Sequence, residues 1–179
     1  VAQNLALVAA AIFRLSLYVE TYSLTELRLA TFLWMGLVFT GLVFILFRIV
    51  LTRSNRWLLR ANVMAALTVL YVSGCLNWPW IVAAYDVAHC SDVTGTGAAL
   101  DVSYLQSLGQ QTVPALDHFQ VLTATTEPGP FAQVGEAGQA RTALADGPIE
   151  SNDWRGFSVY DWTLATYLAT HQPTHPDAR

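Results

Sequence analysis

Two long uncharged apolar runs dominate the chain, residues 29–47 and 61–85. A bilayer core takes about 20 apolar residues of helix, so each run is long enough to cross one. A third run covers residues 1–21, interrupted by Arg14. The pattern predicts membrane-spanning helices over about 1–21, 24–51 and 57–76. The second is longer than a bilayer requires and should tilt or project.

Beyond residue 78 the apolar positions fall into short amphipathic pieces separated by Gly, Pro and Asx residues. Pro79 suits a first helical turn, with Trp80, Ile81, Ala84, Tyr85 and Ala88 forming an apolar face. Asp101 should cap a short helix through Leu108, stopped at Gly109. Pro114 should open another through Leu122, and residues 125–130 read as a turn-rich break. A weaker helix is expected over 131–145, interrupted by Gly135 and Gly138. The last should run over 159–170, capped by Ser158, with Asp161 in its first turn and Trp162, Leu164, Tyr167 and Leu168 to bury. The tail beyond His171 reads as frayed. The expected fold is an all-α membrane protein, three transmembrane helices (1–78) followed by a small, mostly helical extramembrane domain (79–179).

The turn between the first two spans carries its own signal. Ser23-Leu24-Thr25-Glu26 fits a capping box, with Ser23 as N-cap and Tyr22 and Leu27 placed as a hydrophobic staple. The two helices should therefore be antiparallel neighbours. Gly36 with Thr40, and Ala61 with Ala65, offer small-residue spacing for helix packing.

Charge orients this scheme. Of 179 residues, 54% are hydrophobic and only 12% charged, about half the charged share of a soluble domain. The mean hydropathy is +0.39. Residues 1–78 hold six arginines against two glutamates, a net of +4; residues 79–179 hold three arginines against eleven acids, a net of −8. Arg48, Arg53, Arg56 and Arg60 cluster in and around the link between the second and third spans. The positive-inside rule places that link in the cytoplasm, and the acidic C-terminal half on the far side, the periplasm of a Gram-negative cell. Trp57 then anchors the inner interface, and Tyr18, Tyr22, Trp78, Trp80 and Tyr85 the outer one. An acidic domain offers no basic face to nucleic acid. All nine basic residues are arginine, which fits a biased genomic composition.

Arg14 lies about eight residues, ~12 Å, from the end of its helix. A charge at that depth is costly and faces a partner or a wet cavity. Glu20, Glu26 and Arg28 are the candidate members of a polar cluster with it. The plainer reading is an ion pair fixing the hairpin; the functional one is a polar site at the outer mouth of a helix bundle.

Chemistry-bearing motifs are sparse. Cys75 and Cys90 form no metal, redox or haem pattern; Cys75 reads as a small buried hydrophobe, and the pair as unbridged. His171 and His175 are separated by Pro173, which breaks a shared helical face. His89 and His118 stand near Asp86, Asp92 and Asp117 without a third ligand at metal spacing. Gly95-Thr96-Gly97 lacks the setting of a nucleotide loop. No hydrolase signature is present, and no cofactor or metal is expected. The chain opens on Val1 without a basic leader, and reads as part of a longer polypeptide with upstream helices.

Four separated motifs resemble one family. Residues 22–28, Tyr-Ser-Leu-Thr-Glu-Leu-Arg, are similar to its "YGLTELR" hairpin turn, with Ser23 where glycine is usual. Asn77 with Pro79 resembles its "NP" exit from the last span. Leu100-Asp101, Tyr104-Leu105, Leu108-Gly109 and Val113-Pro114-Ala115-Leu116 resemble a further motif, and residues 153–158 its "DWRSxN" stretch. The family is that of bacterial polytopic inner-membrane proteins of the domain-of-unknown-function 4153/4173 type. Two departures stand out: Ala84 and Asp86 replace a usual basic residue and Asn, and residues 123–149 follow no family pattern. The resemblance implies a bacterial inner-membrane location and no known activity.

Three functional readings follow. The first is an accessory or scaffold subunit of an inner-membrane assembly, with membrane lipids and other membrane subunits as partners and Trp154, Phe157, Tyr160 and Trp162 as docking aromatics. The second is a transporter or envelope sensor built on Arg14, Glu20, Glu26 and Arg28. The third is a lipid-acting enzyme using Asp86, His89 or Asp153.

Overall fold

A computed structural model describes residues 1–125, 133–147 and 158–171, apart from the side chains of Glu20 and Thr125. The described residues are helical with no strand, and the chain divides into two compact units, residues 1–76 and 77–179.

The first unit holds three helices, α1 (Ala2–Tyr22), α2 (Glu26–Val50) and α3 (Asn55–Gly74). All three are long and apolar enough to cross a membrane. Neither α2 nor α3 has a buried residue, and Leu27, Trp34, Leu59, Leu70 and Tyr71 are among the exposed apolar side chains. In water such a surface would be untenable; with lipid as solvent it costs nothing. This is a membrane protein.

The α1–α2 turn differs from the expected capping box. Ser23 lies at φ 65°, ψ 170°, and its hydroxyl donates to the Tyr22 carbonyl. Thr25 is the N-cap instead, its hydroxyl accepting from the Arg28 amide at 3.4 Å. An N-cap needs an extended backbone: Thr25 has one (φ −123°) and Ser23 does not. The staple shifts accordingly. Leu27 is exposed, Tyr22 stacks on Tyr18 with ring centroids 4.5 Å apart, and the buried residue preceding the cap is Leu24.

Between α2 and α3 the chain turns through Thr52 (φ 47°), and Ser54 caps α3 by accepting from the Trp57 amide. The small residue that this pair uses is Gly41, where a Cβ would meet the Asn62 Oδ1 at 3.1 Å; at Gly36 it would meet nothing within 4 Å. Phe44 and Trp57 make an edge contact at 6.1 Å. Cys75 is exposed, not buried as expected, because it falls at the C-cap of α3; it and Cys90 are free thiols.

The second unit contains α4 (Trp78–His89), α5 (Ser91–Thr94), α6 (Val102–Ser107), a 3-10 turn (Gln110–Thr112), α7 (Val113–Thr125), α8 (Val134–Ala145) and α9 (Val159–Thr170). Local signals explain most of these bounds. Asn77 caps α4 by accepting from the Trp80 amide at 3.3 Å, and Asp101 caps α6 by accepting from the Tyr104 amide at 2.9 Å. Gly109 (φ 89°) provides the left-handed stop after α6. Ser158 caps α9. α8 runs straight through Gly135 and Gly138, and α5 was not legible as a helix.

One core joins α4, α6, α7 and α8. Ala83, Val87, Leu105, Leu116, Phe119, Ala137 and Ala140 belong to it and are fully buried. The alanines of α8 explain its weak sequence signal: short side chains let it approach α7 closely without an obvious apolar stripe. Burial raises the pKa of the Cys90 thiol, with the nearby Asp92 charge adding to it and backbone amides opposing.

Candidate functional site

The polar centre of the second unit lies where α7, α8 and α9 meet. Asp117 projects from the second turn of α7, and Arg141 from the α8 face that also buries Ala137 and Ala140. Arg141 Nε donates to Asp117 Oδ1 at 2.8 Å and Nη2 to Oδ2 at 3.3 Å. The Tyr167 hydroxyl of α9 donates to the same Oδ2 at 2.9 Å. Arg141 Nη2 also donates to the His171 carbonyl, which closes α9. The Arg141 side chain is 6% exposed and Asp117 21%.

A fork of two N–H donors on one carboxylate is a strong, oriented pair. With Tyr167 added, Asp117 accepts three hydrogen bonds, one on Oδ1 and two on Oδ2. Burial first, then the bond to Asp117 and its charge, push the Tyr167 phenol up to about 12, with Arg141 opposing. Tyr167 therefore stays protonated and donating. The arrangement binds α7, α8 and α9 to one another.

A groove of roughly 1110 Å³ opens beside this cluster. Trp80, Pro114 and Val121 form apolar wall, Asp117, Arg141 and Tyr167 its polar part, and His118 is exposed at its edge. A smaller cavity of roughly 300 Å³ shares Tyr167 with the groove and is lined also by Asn77, Gln111, Pro114 and Leu164. Beside it runs a second polar chain: Asn77 Nδ2 donates to Gln111 Oε1, and Gln111 Nε2 to Asp161 Oδ1, both at 2.9 Å. Gln110 turns the other way, its Nε2 donating to the carbonyls of Leu144, in the last turn of α8, and of Gly147 just beyond it.

The residues singled out from sequence are placed as follows. Arg28 closes the α1–α2 turn, its Nη1 donating to the carbonyls of Tyr22 (2.8 Å) and Ser23. Arg14 is an exposed residue of α1, Glu26 opens α2, and the Glu20 side chain lies outside the described residues. Arg48 is in the last turn of α2; Arg53, Arg56 and Arg60 are exposed in the turn and on the first turns of α3. Trp162 is 61% exposed rather than buried, because it sits on the α9 face opposite Leu164, while Tyr160 is half-buried. Asp153, Trp154 and Phe157 lie outside the described residues, as does the tail with His175.

Asp86 is buried, while His89 is exposed and stacked on Tyr85 at 4.1 Å; neither lines the groove. Among the described residues no group of three metal-ligating side chains converges. Sequence reading missed Arg141 and Gln111. Asp117 and Arg141 are 24 residues apart, so no local spacing signals the pair.

Residues 1–119 match the family described as Domain of unknown function (DUF4153). The chain belongs to this family. The match takes in all three membrane helices, Asn77, Gln111 and Asp117, and ends before Arg141, Asp161 and Tyr167. The likeness of residues 153–158 to a family stretch lies beyond it. No curated protein and no solved structure matches the chain.

Proposed function

We propose that this DUF4153-family protein is an accessory or scaffold subunit of a larger inner-membrane assembly, its acidic helical domain held in the periplasm. The observation that carries this reading is the outer face of α9. Val159 and Trp162, three residues apart, are each 61% exposed, on a domain in which Arg141 is already paired with Asp117. Large aromatics surrounded by polar surface are what protein partners bury. The arginine-rich α2–α3 link supports the orientation, since it carries four of the nine basic residues in a short stretch.

A photo-crosslinking residue at position 162, expressed in the native membrane, should yield a discrete adduct with another membrane protein. A monomer with no adduct at 162, purified alone under gentle extraction, would refute the scaffold role. Orientation is tested separately, by a periplasm-active reporter joined after Arg179. The sensor or transporter reading is less favoured, because Arg28 is engaged by the Tyr22 and Ser23 carbonyls and is not held open for a ligand.

A further inference from the structure

We propose that α9 is a releasable strap: a helix laid over a core that packs without it, held by polar bonds, and able to lift as a unit while α4, α7 and α8 stay folded. The composition of the core carries this inference. Its buried residues come from α4, α6, α7, α8 and the connecting segment around Cys90 and Leu100, and none comes from α9. Leu164 is the one buried residue of α9 and lies outside that core cluster.

Hydrogen bonds at both ends of α9 help to tie it down. Gln111 holds Asp161 in the first turn, Asp117 holds the Tyr167 hydroxyl near the end, and Arg141 holds the His171 carbonyl just past it. Open volume adjoins the seat of α9. The groove of roughly 1110 Å³ and the cavity of roughly 300 Å³ are both lined in part by Tyr167. A helix beside open volume forfeits the dense side-chain contact that makes core helices inseparable from their neighbours.

The polar inventory also favours a separable helix. The Asp117–Arg141 ion pair joins α7 to α8, so it persists when α9 lifts. Arg141 Nη1 is buried and has no hydrogen-bond partner among the described residues, a costly condition that water could relieve on opening. What opening breaks is the hydrogen bonds at the two ends of α9 together with the contacts of buried Leu164 and of half-buried Tyr160, Tyr167 and Leu168. Segments with few buried apolar contacts open sub-globally. The two states are a seated strap covering the Leu164 site and a lifted one exposing it.

The test is hydrogen exchange, read by mass spectrometry on the full chain in lipid nanodiscs, for the natural sequence, Gln111→Leu and Tyr167→Phe. Amides across α9, centre included, should exchange at least about tenfold faster than those around Leu116 and Phe119 in α7. Each variant removes one link and should accelerate α9 by about fivefold while α7 is unchanged. The α7 amides report in the same spectrum that the rest of the domain is folded. The strap is overturned if α9 and α7 exchange together, if only the ends of α9 are fast, or if the variants leave α9 untouched or accelerate both helices. Because the measurement involves no partner, its outcome is separate from that of the scaffold reading.

Discussion

The guanidinium of Arg28 lies 4.8 Å above the ring of Tyr18, on the helix that precedes its own. From that position Nη1 reaches the Tyr22 and Ser23 carbonyls, which α1 leaves without intrahelical donors. Stacking on an aromatic face while bonding two carbonyls requires a planar fork. Arg28→Lys keeps the charge and loses that geometry. We expect it to destabilise the α1–α2 hairpin by about 1 kcal/mol, read as a lower unfolding midpoint in a denaturing-detergent titration. An unchanged midpoint would mean that charge alone matters.

Ser23 offers a test with the opposite sign. Its backbone (φ 65°, ψ 170°) occupies a region that glycine alone adopts freely. Ser23→Gly should therefore stabilise the hairpin by about 1 kcal/mol even though the hydroxyl's bond to Tyr22 is lost. Ser23→Val should destabilise it, since a branched side chain fits that region worse still. If the glycine variant unfolds earlier in the same titration, the turn does not hold this conformation.

Gly41 sets how closely α2 and α3 approach. With a Cβ there only 3.1 Å from Asn62 Oδ1, Gly41→Ala should be accommodated by a small shift. Gly41→Leu should cost about 1–3 kcal/mol through overpacking. Gly36→Leu, at a position with nothing within 4 Å, is the control and should be close to neutral. Equal losses at 36 and 41 would contradict this packing.

The Asp117–Arg141 pair predicts an asymmetry. Asp117→Ala strands a guanidinium that is 6% exposed, whereas Arg141→Met leaves a carboxylate that is 21% exposed and still bonded to Tyr167. Removing one partner of a buried pair costs about 3–5 kcal/mol, so the aspartate variant should approach that range and the arginine variant fall short of it. Thermal unfolding of the two variants decides the order; the reverse ranking would indicate that Arg141 is hydrated in solution.

Alkaline pH tests Tyr167. Its folded-state pKa is raised to about 12, above the value of about 10 expected in the unfolded chain. The proton is thus held more tightly in the folded state. Its stabilising contribution is complete below pH ~10 and is lost as the pH rises towards 12. Stability of the natural protein should fall through that window, and Tyr167→Phe should flatten the fall. Identical alkaline profiles would show that the phenol is not coupled to folding.

Much of the architecture was legible because its causes are local. Helices that cross lipid must satisfy their backbone internally and present apolar side chains throughout, so length and hydropathy alone locate α1, α2 and α3. Asp101 and Ser158 announce helix starts through bonds to amides two or three residues on, and Pro79 marks the first turn of α4. The same logic failed at Ser23 because a cap depends on backbone conformation as well as side-chain type. Arg28 pulling on the preceding carbonyls accompanies a turn in which Thr25, not Ser23, is extended.

The sequence by itself determined a lipid-facing N-terminal half, a helical C-terminal half and the placement of most helix ends, all consequences of interactions within a few residues. Only the tertiary structure decided that Arg141 pairs with Asp117, that Gln111 links Asn77 to Asp161, and that α9 rests outside the core. Those relations join positions 24 to 50 residues apart. They follow from how α8, an alanine-rich helix with little amphipathic signature, settles against α7. That packing, which no local pattern encodes, brings a distant guanidinium to a carboxylate and leaves α9 to be held by what remains.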